Sequence, residues 1–164
     1  MKGHWSHVDD AGDARMVDVS PKAATLRKAR AEGFVRMRTE TRRDIESDKN
    51  PKGSVLGVAR IAGIQGAKET SRLIPLCHPL PIEKARVDFE WLDGPGVAAG
   101  EARLRIEAEV VVTAKTGVEM EALTAVSVAA LTVYDMCKGA DPAMAIDGIR
   151  LLEKTGGKQD LKLA

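Results

Sequence analysis

Val87, Phe89 and Trp91 alternate with Asp88 and Glu90, and Leu104, Ile106, Ala108, Val110 and Val112 alternate with Arg105, Glu107 and Glu109. A period of two puts each apolar set on one face of a strand. The Asp93-Gly94-Pro95-Gly96 turn joins the two runs as an antiparallel hairpin. A last strand is predicted within Ala143 to Lys154, where Gly156-Gly157 ends it and leaves a polar tail over 155–164.

The period changes to three and four in two places. From Val55 to about Arg72, Val55, Val58, Ala62 and Gly66 form one row, and Leu56, Ala59, Gly63, Ala67 and Thr70 form another. This predicts an amphipathic helix with Ser54 as its N-cap and small residues that permit a close neighbour. In Lys115 to Lys138, Lys115-Thr116-Gly117 reads as a loop. Glu119 and Glu121 fall at the start of a helix, where free N–H groups favour negative charge. No charge follows from Ala122 to Tyr134, so that helix is expected to be buried on most sides. Asp135 and Lys138 close it, with Gly139 placed to stop it.

Residues 24–37 satisfy two patterns. Propensity favours a helix with Ser20-Pro21 at its start. Parity favours a strand: Thr25, Ala29, Ala31, Val35 and Met37 fall on one side, and Lys28, Arg30, Glu32 and Arg36 on the other. Topology decides. With a strand here the order becomes β-α-β-β-α-β, the ferredoxin-like α+β arrangement: a four-stranded antiparallel sheet with helices on one face. The other face then needs cover, which an oligomer can supply. The charged stretch 39–50 has Thr39 as a cap for a short helix. Residues 1–15, with His4, Trp5 and His7, read as a flexible arm anchored by the extended segment Met16 to Ser20.

Composition narrows the class. The 164 residues, 44% apolar and 30% charged, suit one soluble globular domain spanning 1–164. A net charge of +1 argues against a nucleic-acid or membrane footprint, and two Trp, two Phe and one Tyr give little surface for base stacking. The uncharged run 122–134 is too short to span a bilayer. Cys77 and Cys137, in apolar surroundings with no secretory signal, read as reduced thiols in the cytoplasm.

The candidate chemistry lies in two stretches. Leu73 to Ile82 holds three prolines, which exclude a helix interior and fix Cys77 and His78 in a rigid apolar loop. Adjacent Cys-His is not a usual zinc spacing, and neighbours in extended chain point apart, which disfavours a nucleophile pair. The plain reading is a packed cysteine and a hydrogen-bonding histidine. On the long helix, positions 121, 124, 128, 131, 135 and 138 share one face. Asp135 and Lys138 can be an ordinary i,i+3 pair, or part of a site. Glu121 and Asp135 are fourteen residues apart, about 21 Å along a helix. A small ligand that uses both therefore needs two copies of the chain.

MVDVS at 16–20, ARIAGIQGAKETSRLIPLCHPLPI at 59–82 and KTGVEMEALTAVSVAALTVYDMCK at 115–138 resemble the cyclic pyranopterin monophosphate synthases, the C accessory proteins of molybdenum cofactor biosynthesis. The resemblance runs from about residue 14 to residue 158. The departures, at Gly139-Ala140-Asp141 and in the 42–51 and 93–101 loops, touch no motif. The resemblance implies a ferredoxin-like fold, and a homohexamer built as a trimer of dimers with its site at the dimer interface. It implies conversion of (8S)-3′,8-cyclo-7,8-dihydroguanosine 5′-triphosphate, made from GTP by a partner radical cyclase, to cyclic pyranopterin monophosphate and pyrophosphate.

By the same resemblance Asp135 is the acid/base, and Lys52 and Lys138 are the essential cations. Leu76, Cys77, His78, Met120 and Glu121 line the substrate pocket. Lys154 and Arg27, then Lys22 and Glu119, are further contacts. Alone, each lysine would read as a solvated charge. No cofactor is implied; Mg²⁺ on the triphosphate is compatible. The rival classes are a nucleotide-binding sensor of the same fold and a metal-dependent hydrolase using Cys77 and His78. If Lys52 and Asp135 belong to different protomers, Lys52→Ala and Asp135→Asn chains are expected to complement one another.

Overall fold

The run 24–37 is a strand. In the computed structural model, which describes residues 12–47, 51–94 and 96–163, β1 spans Thr25–Arg38. Ala29, Ala31, Val35 and Met37 are buried, as their shared parity requires. Propensity for helix loses because β1 is central. It pairs with β3 (Glu101–Ala114) from Thr25↔Ala114 to Arg38↔Glu101, and with β4 (Ala145–Thr155) on its other edge. Two long ladders and a buried face outweigh a few tenths of a kcal/mol per residue of helical preference.

The remaining elements are α1 (Thr39–Glu46), α2 (Val55–Leu73), β2 (Lys84–Leu92), α3 (Glu119–Cys137) and β5 (Leu161–Lys162). All strand pairs are antiparallel, in the order β2-β3-β1-β4-β5. Two expectations need correction. The sheet has five strands rather than four, and the C-terminal stretch is not simply a tail. Gly156, at φ +82, turns the chain back where an added Cβ would lie 1.8 Å from the Leu26 carbonyl oxygen. Asp160 Oδ1 accepts from Gly156 N at 2.8 Å, and β5 then pairs with β4. A two-residue strand has no periodicity to read. The N-terminal arm with His4, Trp5 and His7 lies outside the described residues up to residue 11, as do residues 48–50, Pro95 and Ala164.

The helices α2 and α3 pack together on one face of the sheet. The row Ala59, Gly63, Ala67 and Thr70 of α2 is buried, with Gly66 beside it. A Cβ on Gly63 would sit 2.9 Å from the Ala125 carbonyl oxygen, and one on Gly66 would sit 2.8 Å from Val128 Cγ2. The two backbones are therefore as close as glycine allows. Ser54 caps α2 as predicted, accepting from Gly57 N at 3.3 Å. Thr39 does not cap α1: it is the first helical residue, Arg38 occupies the cap, and Thr39 Oγ1 donates to the Glu101 carbonyl at 3.3 Å. Gly139 does not end α3 in a left-handed turn; Ala140 N and Asp141 N both donate to the Cys137 carbonyl. At nineteen residues, α3 is long and apolar enough to cross a membrane by length and composition. Here it fills the core: Ala122, Ala125, Val126, Ala129, Ala130 and Val133 are wholly inaccessible.

The opposite face of the sheet is covered by ion pairs. Glu32 is only 4% exposed and takes Arg150 at 2.6 Å and Arg105 at 2.7 Å. Burial alone would raise its pKa, but the two guanidiniums hold it below the ordinary value. Arg30–Glu107, Lys84–Glu109 and Arg36–Asp147 continue the lattice, and Arg103 lies over the Phe34 ring at 3.9 Å. Alternation of like-sized charged residues on β1 and β3 thus gives polar cover, with aliphatic stems against the sheet.

Candidate active site

The predicted site residues occupy the two ends of α3. At its N-terminal end the proline-locked loop after α2 meets the Thr116-Gly117 turn. Between them is a cavity of about 310 Å³ lined by Leu76, Cys77, His78, Leu80, Glu119, Met120 and Glu121. His78 is fixed by a 3.0 Å contact from Nε2 to the Val17 carbonyl. That oxygen can only accept, so Nε2 carries a proton. The same bond anchors the segment 16–20 to the site, an attachment the sequence did not indicate, and no strand forms there.

Glu121 is 4% exposed. Burial, reinforced weakly by the nearby Glu119 charge and opposed by its own backbone N–H, pushes its carboxyl up to about 7. Burial, with a smaller effect of Glu121, also raises the Cys77 thiol. Cys77 is therefore a protonated wall of the pocket and a poor nucleophile or metal ligand at neutral pH. Among the described residues no group of three or more His, Cys, Asp or Glu is placed to hold a metal.

A larger cleft of about 830 Å³ adjoins this cavity and shares Thr116, Gly117 and Glu119 with it. Lys22, Arg27 and Lys154, singled out from the sequence, lie in it together with Lys28, Lys115 and Lys158. Lys154 Nζ donates to Glu119 Oε1 at 2.9 Å, and Lys115 Nζ to the Ser20 carbonyl at 2.8 Å. Six cations face the carboxylates of Glu119 and Asp160 there, so the cleft is strongly electropositive and suits a polyanion. Lys28, Lys115 and Lys158 were missed. Lys115 beside Thr-Gly and Lys158 beside Gly-Gly were the available signals, since each follows or precedes a turn that closes on the cleft.

At the other end of α3, Lys138 Nζ donates to Asp135 Oδ1 at 2.6 Å and Lys52 Nζ to the Asp135 backbone carbonyl at 3.0 Å. The Lys138 hydrogen bond, then the Lys138 and Lys52 charges, hold Asp135 below the ordinary carboxylate range; Asp135 in turn raises Lys138. All three side chains are exposed. Lys52 and Asp135 thus belong to one chain and one cluster, which corrects the expectation that they could sit on different protomers. The helical face that links the two ends changes character along its length. Glu121 and Thr124 are buried, Leu131 is 59% exposed, and Asp135 and Lys138 face solvent. Within one chain the structure does not bring the carboxylate–lysine cluster to the Cys77–His78 pocket.

The MoaC family model matches residues 16–157. Three relatives described as cyclic pyranopterin monophosphate synthase align over nearly the whole chain. That of Desulfitobacterium hafniense is 58% identical over 93% of this chain and 90% of its own length. That of Methylobacterium sp. (strain 4-46) is 60% identical over 93% and 92%. That of Methylobacterium nodulans is 58% identical over 95% and 94%.

Proposed function

This chain belongs to the MoaC family, and we propose that it performs the lyase step that turns (8S)-3′,8-cyclo-7,8-dihydroguanosine 5′-triphosphate into cyclic pyranopterin monophosphate and pyrophosphate. Identity of 58–60% over more than nine-tenths of the chain, to proteins named for that product, carries the reading. The first four strands with α2 and α3 supply the ferredoxin-like β-α-β-β-α-β frame, and β5 is an addition at its edge.

The geometry supports a division of labour. The cationic cleft suits the triphosphate and then the departing pyrophosphate. The adjoining pocket, with a buried carboxyl, a protonated thiol and an oriented imidazole, suits the nitrogen-rich ring. Proton transfers in the rearrangement fall to Asp135, with Lys52 and Lys138 as donors or as neutralising charges. Fourteen residues of rigid helix, about 21 Å, separate Glu121 from Asp135 within one protomer. A second copy that presents its Asp135 end to the first copy's Cys77–His78 pocket completes the site, and the exposed Leu131 on that end gives the contact an apolar element. A homohexamer built from such dimers in the cytoplasm, fed by a radical cyclase, fits this arrangement.

Incubation of the purified protein with the cyclised dihydro-GTP tests the reading. Pyrophosphate release and pterin fluorescence after oxidation are expected to rise together. An oligomeric, folded protein that binds the nucleotide and leaves it intact would make the chain a sensor instead.

A further inference from the structure

Asp141 is a carboxylate, 1% exposed, that the reaction scheme above does not use. Its Oδ2 accepts from the Arg38 backbone N–H at 2.9 Å and from Thr41 Oγ1 at 2.9 Å. Its Oδ1 lies 3.4 Å from Arg38 Nε, and the Ala143 N–H also donates to the carboxylate. The Arg38 guanidinium reaches on to the Ala140 carbonyl. The cap residue of α1, Arg38, makes no side-chain cap of its own. Asp141, about a hundred residues away in sequence, accepts from the N–H of that cap residue, one of the donors left free at a helix start. These bonds outweigh the cost of burial and keep the carboxylate charged.

The bonds join two segments that meet at the Asp135 cluster. One is the connection that leaves α3 just after Lys138; the other is the first turn of α1. Thr41 and Ile45 of α1, Met136 and Cys137 of α3, and Lys52 line one cavity of about 300 Å³. Lys52 thus shares this cavity with α1 and the end of α3, and it donates to the Asp135 carbonyl at 3.0 Å.

We propose that Asp141 is a positioning residue for the Lys52–Asp135–Lys138 cluster: by tying α1 to the α3–β4 connection, it holds Lys52 in register with the end of α3. The proposal rests on the synthase reading. A displacement of about 1 Å in a catalytic group costs up to about a hundredfold in rate. Removing Asp141 leaves the backbone N–H groups of Arg38 and Ala143 and the Thr41 hydroxyl without their acceptor and frees that displacement.

The test compares wild type, Asp141→Ala and Asp141→Asn in steady state with the cyclised dihydro-GTP, each shown to be folded and of wild-type oligomeric size. Asp141→Ala is expected to lose about tenfold to a hundredfold in kcat with KM within roughly threefold, because substrate contacts are untouched. Asp141→Asn keeps one oxygen to accept from the Arg38 N–H and Thr41 Oγ1 but turns an NH2 toward the Arg38 guanidinium, so it is expected to recover part of the loss. A folded Asp141→Ala with wild-type kcat, a loss confined to KM, or an Asn variant as impaired as Ala would overturn the proposal. Should the Ala variant not fold, Thr41→Val removes one bond to Asp141 and nearly preserves volume; its kcat is expected to fall, and an unchanged kcat refutes the proposal. A wild-type protein that leaves the substrate intact overturns the synthase reading, and the positioning role with it.

Discussion

Replacement of Glu121 by Gln tests whether the pocket holds a neutral carboxylic acid. Burial raises Glu121 from 4.5 to about 7, so between those values the folded chain holds a proton that the unfolded chain has lost. Stability must therefore fall as pH rises through that window and level off above it. Two and a half pH units at 1.36 kcal/mol each amount to about 3 kcal/mol, of which about 2.5 kcal/mol lies between pH 5 and pH 8. Gln is nearly isosteric and does not titrate. Groups that do not feel Glu121 cancel in the difference, and Cys77, whose thiol Glu121 helps to raise, stays protonated across that range. Urea unfolding at fixed protein concentration is to be run on both proteins at pH 5 and pH 8, since oligomer dissociation adds a concentration term common to both. The Gln variant is expected to gain about 2 to 3 kcal/mol on wild type between pH 5 and pH 8. A constant difference between the two proteins across that range would show that Glu121 ionises near its ordinary value, and the reading of an uncharged ring pocket would fall with it.

Asp135→Asn should keep the fold, because the side chain is exposed, and should lower kcat by at least about a hundredfold, the usual size of a general acid–base contribution; circular dichroism and turnover measured on the same sample decide. Since Lys52 and Asp135 share a cluster, Lys52→Ala and Asp135→Asn chains should not complement. Asp135→Asn mixed with His78→Ala should regain activity after subunit exchange, and no recovery despite proven exchange places the whole site in one chain. Gly63→Ala should destabilise the protein by about 1–2 kcal/mol despite the better helix propensity of Ala, because the added Cβ meets a backbone oxygen at 2.9 Å that no side-chain motion can relieve; an unchanged or raised urea midpoint would mean that α2 and α3 can part without cost. Lys154→Ala should weaken pyrophosphate inhibition with a shallower salt dependence, read from Ki at two ionic strengths, because one of the six cleft cations is lost.

The alternation on 87–91 and 104–112 and the rows on α2 and α3 follow from local geometry alone, so the sequence by itself determined those strands and helices and the buried face of the strands, but not which row of α2 is buried or how the α3 face passes from buried Glu121 to exposed Leu131. It also determined the family, through LCHPL and YDMCK, and the conflict between one helix and one small ligand, because helical rise is fixed per residue. Long-range pairing decided the rest. β1 became a strand because two partners flank it, and β5 formed because Gly156 turns the chain against Leu26. The same holds for the site. Lys28, Lys115 and Lys158 enter the cleft from segments far apart in the chain, and Asp141 reaches the first turn of α1 across the fold. No periodicity records such meetings. They depend on which strand lies beside which, and that is settled only when the apolar faces of the sheet, α2 and α3 close on one another.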